Sequence, residues 1–501
     1  LEREGAPAAD ADEQGGEAHA ETPPTGAPAL DRDPARTRLF VSSAAPMPGA
    51  EQRHAPINGL LVMVARRDDS ATELERAFAE QGINTVLRTS AELIALDPGS
   101  MEALLADRDT LLYAAHRDAL QITHRKGDAL QGLLHQEVDS LYALFKALHP
   151  MLSRLPLRVV VPLAQDGRLG CGGASPGSLL ASFPAGFIRA LAQELPGCRF
   201  SLLDCGAADW AEVLPAEIQL QTPHLELGLS PLGPMAPNLT SVEPGEERSV
   251  PLHKGDLVLV AGGARGIVLE CMLALAQRTG CSLLLTGRTV AAQGSPEWLG
   301  TPAEHIDGVI RSMELDLVKA EGMNLGQAKR AAALARKQWE LARNLDRLEA
   351  QGVDARYVPC DVADPEAFSA LVGELSRERP IRGVVIGAGV QRSMLMPELT
   401  MDAVHLTLDT KLSPLFSLLS VLPWDDLRLL LGFGSVTGLL GNAGQTDYGL
   451  ANDMLAVMLE QLGLEHPHLL VQTVEWTAWT GTGMVTEQEA KRFAENGLIP
   501  I

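Results

Sequence analysis

Basic residues are in short supply in this 501-residue chain: 41 Lys and Arg face 64 Asp and Glu, for a net charge of −23. Such a surface repels DNA and anionic membranes, which argues against a nucleic-acid or membrane-surface role. Long apolar runs are missing too. None approaches the ~18 residues needed to cross a bilayer, and those such as Leu60 to Ala65 are strand-sized. Cysteine is sparse, six residues without a C-x-x-C pair. With no signal-peptide pattern, that reads as reduced thiols in a cytoplasmic protein, and no metal is expected. Tyrosine occurs only four times, so each one carries weight. What remains is 46% apolar and 21% charged, a soluble globular composition. At roughly 100–200 residues per domain, the length predicts two to four domains. The chain opens without Met and stops at Ile499-Pro500-Ile501, and it reads as a piece of something longer.

Residues 1–55 are rich in Ala, Pro, Gly and acid. They lack the apolar surface to offset ordering entropy, and are expected to form a flexible linker. From Ile57 onward, short aliphatic runs alternate with amphipathic stretches: Leu60 to Ala65, Ile83 to Leu87, Leu111 to Ala114, Val159 to Leu163 and Phe200 to Leu203. That alternation predicts β-α-β units around a parallel sheet. Ser230 to Glu247 is expected to separate this block from a second one. There the strands are Asp256 to Val260, Ser282 to Leu285, Ala355 to Pro359, Gly383 to Ile386, Leu427 to Gly432 and Leu470 to Val474. Between its second and third strands lies a charged insertion, 296–351. Its Ala-, Lys-, Arg-, Glu- and Leu-rich part predicts a long helix or helical hairpin.

The two blocks match at an offset of 271 residues. Leu157 to Val161 then overlies Arg428 to Gly432, and Gly167-x-x-Gly170-x-x-Gly173 overlies Gly438-x-x-Gly441-x-x-Gly444. The fold expected is α/β, two tandem Rossmann-like units: a truncated structural one (56–247) and a complete, doubly wound, parallel-sheet unit (248–501).

Strand Asp256 to Val260 runs into Ala261-Gly262-Gly263-Ala264-Arg265-Gly266-Ile267 and a helix. Glycines at that junction let backbone approach a pyrophosphate whose charge rests on the helix N-terminus. Tight turns use the same residues, so placement between strand and helix is what makes the loop informative. The next strand ends Thr286-Gly287-Arg288. An acidic residue there suits the ribose hydroxyl of NAD, whereas Arg288, with Arg265 as a second cation, suits the 2′-phosphate of NADPH. Asp361 and Val362 follow the third strand, within expected reach of the adenine. Gly387, Ala388 and Gly389 follow the fourth, where small residues let backbone approach the cofactor.

Ser435 lies thirteen residues before Tyr448, and Asn452 four after it, on the same helical face. A tyrosine wedged between helix and sheet is the plain alternative. A phenol with a pKa of about 10 is a poor acid at neutral pH, and a nearby ammonium favours its ionised form. Lys411 is the candidate partner.

These residues resemble the ketoreductase domain of type I polyketide synthases, a branch of the short-chain dehydrogenase/reductase superfamily. The resemblance covers nearly everything from Ile57 onward. It is carried by the glycine loop, Thr410-Lys411, the Gly434 to Gly438 turn, and Gly444-Gln445-Thr446-Asp447-Tyr448-Gly449-Leu450-Ala451-Asn452. The loop Gly-Gly-Ala-Arg-Gly-Ile and the insertion are closer in style to polyunsaturated fatty acid synthases and related iterative synthases. The resemblance implies that Tyr448 protonates the carbonyl of a β-ketoacyl thioester and Ser435 hydrogen-bonds it. Lys411 and Asn452 hold the relay water and ribose, and NADPH supplies hydride. It also implies a phosphopantetheine-bound substrate on an acyl carrier protein, neighbouring synthase domains, and a lid at Trp476, Trp479, Gly483 and Met484.

Several positions depart from that family's pattern. Ala261 replaces threonine, Gly387 replaces histidine or asparagine, and Thr477-Ala478 replaces Gly-Pro. Val390 to Met394 lacks the Leu-Asp-Asp signature of one product hand, and Leu440 replaces the tryptophan of the other. In the first block the 271 offset puts Ser140 at Lys411, Ala164 at Ser435, Gly177 at Tyr448 and Ala181 at Asn452, so that copy is expected to be a scaffold. Two rivals remain. An ordinary short-chain dehydrogenase needs Lys where Asn452 stands. A catalytically inactive ketoreductase-like scaffold does not need the intact set Lys411, Ser435, Tyr448 and Asn452.

Overall fold

The computed structural model describes residues 39–47, 53–115, 127–171, 183–242, 249–319 and 322–479. Up to residue 242 the strands are β1 (Leu39–Pro46), β2 (Arg53–His54), β3 (Leu60–Val64), β4 (Thr85–Thr89), β5 (Thr110–Ala114), β6 (Arg158–Leu163), β7 (Arg199–Asp204), β8 (Leu220–Gln221), β9 (Glu226–Ser230) and β10 (Gly233–Val242). The helices there are α1 (Asp69–Glu80), α2 (Ser90–Ile94), α3 (Pro98–Leu105), α4 (Gly127–Leu152), α5 (Pro184–Glu194) and α6 (Trp210–Glu217). β3, β5 and β6 are buried along their whole length, as continuous apolar runs in a sheet covered on both faces should be. The sheet order is β1-β10-β9-β7-β6-β5-β3-β4, parallel from β4 through β9. β10 and β1 are added antiparallel at the other edge.

Two expectations are corrected here. Leu39–Pro46, read as part of the 1–55 linker, form β1 and pair with β10 along all eight residues. Most of the Ser230 to Glu247 separator is β10 itself. The remainder of that linker up to residue 38 lies outside the described residues.

The second block contains β11 (Leu257–Ala261), β12 (Ser282–Gly287), β13 (Ala355–Pro359), β14 (Ile381–Ile386), β15 (Leu429–Ser435) and β16 (Leu470–Trp476). Its helices are α7 (Gly266–Thr279), α8 (Ile306–Lys319), α9 (Leu325–Ala350), α10 (Pro365–Glu378), α11 (Met401–Val421), α12 (Val436–Leu440) and α13 (Thr446–Glu465). All six strands are parallel, in the order β13-β12-β11-β14-β15-β16. This doubly wound order reverses between β11 and β14, the switch point at which open sheets of this kind form a crevice at the carboxyl ends of their strands. The insertion folds as the hairpin α8–α9. Asn324 and Gln327 form a capping box at the start of α9, satisfying backbone N–H groups that the first turn leaves unpaired.

The internal repeat has a physical form. Shifted by 271 residues, β5, β6 and β7 fall on β14, β15 and β16. α4 packs on α11 and α5 on α13, so the two sheets face one another through four helices. One apolar cluster runs across, from Leu141, Phe145 and Phe187 to Leu412, Leu415 and Met454. Gly186 permits one of the close approaches between them, because a Cβ there would collide with the Gly449 carbonyl. The first sheet has no counterpart of β13 among the described residues, which is the truncation. Gly177 and Ala181, matched to Tyr448 and Asn452, lie outside the described residues. Among the described residues, no helix is long and apolar enough to cross a membrane.

Candidate active site

β15 ends at Ser435, which is also the N-cap of α12; its Oγ accepts the Thr437 N–H at 3.2 Å. The chain turns back and enters α13, placing Tyr448 in its first turn and Asn452 one turn later. Tyr448 is 7% exposed and Asn452 0%, so both lie under the helix rather than on its wet face. The Tyr448 phenol is within hydrogen-bonding reach of the Ser435 and Asn452 side chains. Asn452 Nδ2 donates to the Tyr448 carbonyl at 2.8 Å, leaving its buried Oδ1 without a partner. Lys411 comes from α11 and donates from Nζ to the Phe433 carbonyl at 2.9 Å, two residues before Ser435. A phenol, a hydroxyl, an ammonium and a carboxamide therefore converge on the end of one strand.

Burial dominates the electrostatics. The Tyr448 pKa is raised by desolvation, while Ser435 and Asn452 pull it down. The expected lowering by Lys411 does not govern it; the Lys411 ammonium is bonded to the Phe433 carbonyl instead. Burial lowers the Lys411 pKa to about 8, opposed by the charge of Glu475. Glu475, which no sequence motif marks, lies opposite Gly434 in the β15–β16 register. A Cβ on Gly434 would lie 2.5 Å from Glu475 Oε2, so the glycine makes room for the carboxyl. Burial pushes the Glu475 pKa up to about 8, against a backbone hydrogen bond from Ser435. Asp447 is also raised by burial, and accepts the Thr407 hydroxyl at 2.7 Å.

The glycine loop lies where β11 meets α7, at the crevice. Gly262 has φ +86°, and a Cβ there would sit 2.6 Å from the Ala388 Cα. Gly266, at φ +63°, opens α7. Arg265, the N-cap residue, makes no side-chain cap, so the first N–H groups of α7 have no internal acceptor from it. Arg265 and Arg288 are both exposed at the mouth of the crevice strands, with Arg265 close enough to Tyr357 to influence its titration. A Cβ on Gly287 would stand 3.0 Å from the Tyr357 hydroxyl. Ile267 packs on the core, and Val362 is buried within it. Asp361 is exposed and accepts the Ala363 N–H at 3.1 Å. Gly387 is small for packing reasons, since a Cβ would meet Val268 at 2.8 Å, and Gly389 lies 3.2 Å from Lys411 Nζ by the same measure.

These observations fit a dinucleotide. A glycine cradle that a side chain would fill, a helix N-terminus without a side-chain cap, and an orphaned carboxamide oxygen beside the phenol are what a pyrophosphate and ribose require. Trp476 lies tilted against Phe433, ring centres 5.7 Å apart, and meets Trp479 edge-on at 5.2 Å. Gly483 and Met484 lie outside the described residues. No group of His, Cys, Asp and Glu suited to a metal occurs among the described residues.

Parallel order 3-2-1-4-5-6, a glycine loop and a Ser-Tyr pair with Lys and Asn define a short-chain-dehydrogenase-like Rossmann unit. Residues 257–481 match the family model described as KR domain, and this part of the chain is similar to the ketoreductase domains of type I polyketide synthases. One polyunsaturated fatty acid synthase polypeptide, from Thraustochytrium sp., is 28% identical over 51% of this chain and 9% of its own length. The pikromycin polyketide synthase component PikAII of Streptomyces venezuelae is 32% identical over 44% of this chain and 6% of its own. The chain thus spans about a tenth or less of these relatives. Among solved structures, a C2-type ketoreductase from a modular polyketide synthase superposes with TM-score 0.64 at 20% identity, covering 93% of this chain and 89% of that one. The first ketoreductase of the tylosin synthase gives 0.62 at 18% identity, over 93% and 87%. At those identities the likeness is one of fold.

Proposed function

We propose that the chain reduces a β-ketoacyl thioester, carried on the phosphopantetheine arm of an acyl carrier protein, to the β-hydroxyacyl thioester inside a larger synthase. One observation carries the reading: Lys411, Ser435, Tyr448 and Asn452 meet at the end of β15, beside the crevice. When bound, NADPH supplies the hydride that adds to the carbonyl carbon. Tyr448 gives its phenolic proton to the carbonyl oxygen, and the Ser435 hydroxyl donates a hydrogen bond to that oxygen. The unpartnered Asn452 Oδ1 accepts from the water that returns a proton to Tyr448. Lys411 keeps donors for the ribose after satisfying the Phe433 carbonyl. Gly262, Gly263, Ala264 and Gly266 cradle the pyrophosphate. Arg288, helped by Arg265, takes the 2′-phosphate, which favours NADPH over NADH.

In this reading residues 248–501 are the catalytic half, with 296–351 inserted. Residues 56–247, joined by β1, are a non-catalytic half. Trp476 and Trp479 begin a lid over the acyl group. The experiment mixes the chain with NADPH and a β-ketoacyl N-acetylcysteamine thioester and follows nicotinamide absorbance. Oxidation is expected for the wild type, slower with NADH, and lost in Tyr448→Phe with NADPH binding kept. A wild type that binds no NADPH leaves the inactive-scaffold reading standing.

A further inference from the structure

Two segments border the reacting groups: the one that follows β14, from Gly387 to Thr400, and the one from Ser435 to Gln445 that leads into Tyr448. They are tied to each other. Met394 N–H donates to the Gly444 carbonyl at 2.8 Å. Gln445 Nε2 donates to Ser393 Oγ at 3.1 Å while its Oε1 accepts the Thr437 hydroxyl at 3.0 Å. They are also tied from outside. Glu194, the last residue of α5, divides its carboxylate between them: Oε2 accepts the Met396 N–H at 2.9 Å, and Oε1 accepts the Gly444 N–H at 3.0 Å. Lys146 of α4 fixes the far end of the first segment by donating to the Leu399 carbonyl at 2.8 Å. Both side chains belong to the half without reacting groups.

A carboxylate accepting two backbone N–H groups makes charge-assisted bonds, stronger than neutral ones. Its two oxygens are held at a fixed separation, so a single side chain sets the spacing of the segments as well as their attachment. The segments expose two large apolar side chains beside the site, Leu395 at 51% and Leu440 at 52%. An acyl chain reaching Ser435 and Tyr448 meets this lip. We propose that Glu194 is a substrate-positioning residue: by clasping Met396 and Gly444 it holds the two segments at the spacing that presents one face of the ketone to the reacting groups. This rests on the ketoreductase reading above and concerns how that site is shaped.

The test compares the full chain with Glu194→Ala and Glu194→Gln. The glutamine keeps the side chain's size and one acceptor, and turns an N–H₂ toward the second backbone donor. Without substrate, amide hydrogen exchange over 390–396 and 441–445 is expected to quicken about tenfold or more in either variant, with NADPH affinity within about twofold of wild type. With the N-acetylcysteamine thioester, KM rises by about tenfold while kcat falls less, and the ratio of the two alcohol enantiomers moves toward unity. Should the alanine variant not fold, the glutamine variant decides. Unchanged exchange with an unchanged KM and enantiomer ratio in Glu194→Gln overturns the proposal. A wild type that binds NADPH and reduces no thioester overturns the ketoreductase reading instead, and the exchange result still shows whether Glu194 holds the segments.

Discussion

Lys411 and Glu475 approach consecutive residues of β15: the ammonium bonds the Phe433 carbonyl and the carboxyl covers Gly434. Both groups titrate near pH 8, Lys411 lowered by burial and Glu475 raised by it. Asp453 raises the Glu475 pKa further, while Lys411 and Arg189 oppose it. The signs set the pH dependence expected of the proposed reduction. Below about pH 8 Lys411 carries its proton, and above it the ammonium is lost. Glu475 is ionised on that same alkaline side, where its charge helps Lys411 keep the proton. Reduction should therefore decline above about pH 8. In Glu475→Gln the supporting charge is gone, burial lowers the Lys411 pKa further, and the alkaline limb of kcat/KM moves to lower pH. A limb that stays in place or moves upward contradicts this coupling. That Tyr448, Ser435, Asn452 and Lys411 stand together was legible because spacing and residue type survive in one dimension. Glu475 was not, for its meaning comes from standing opposite a glycine in a neighbouring strand.

At the scale of elements, apolar runs announced the parallel strands, and the 271-residue offset announced the correspondence of β5–β7 with β14–β16. α9 was legible as a helix from composition alone. Its purpose was not, because the contacts it makes lie far away in sequence. Asn344 Nδ2 donates to the Ala264 carbonyl at 3.0 Å, inside the glycine loop. Arg347 grips Glu270 of α7 through two bonds, at 2.6 and 2.7 Å. Trp339 sits between Arg336 and Arg343, 4.8 and 4.9 Å from its ring centre, and donates to the Thr301 carbonyl. The insertion is thus braced against the loop that would cradle the pyrophosphate. Asn344→Ala removes one hydrogen bond worth roughly 1 kcal/mol, and should weaken NADPH binding by about fivefold. Titration of nicotinamide fluorescence measures it, and an unchanged dissociation constant separates the insertion from the cofactor.

Across the whole molecule the two halves meet with an approximate internal symmetry that extends to single side chains. His135 pairs with Asp409 at 2.7 Å, His405 pairs with Asp139 at 2.6 Å, and the two imidazoles stack at 4.7 Å. Such pairs could not be read from either half alone. Nor could β1 and β10, whose small and polar residues lack an apolar period and which exist through pairing with each other. One deeply buried polar contact between halves is made by Arg189 of α5, 5% exposed. Its guanidinium is bidentate to Glu226 at 2.7 and 2.8 Å and donates to Asp453 of α13 and to the Gly438 carbonyl. Burial works against the charged form, yet Asp453 and Glu226 together push the Arg189 pKa up. Removing the cation leaves two carboxylates with no counter-charge in a dry contact beneath the helix that carries Tyr448. Arg189→Ala should therefore lower stability by about 3–5 kcal/mol. Burial already raises the Asp453 pKa, and without the guanidinium its folded-state value stands further above the unfolded one. The loss is accordingly smaller at pH 5, where that carboxyl can take up a proton, than at pH 8. Urea unfolding at the two pH values measures this, and a loss independent of pH would mean that the contact works through packing rather than through charge.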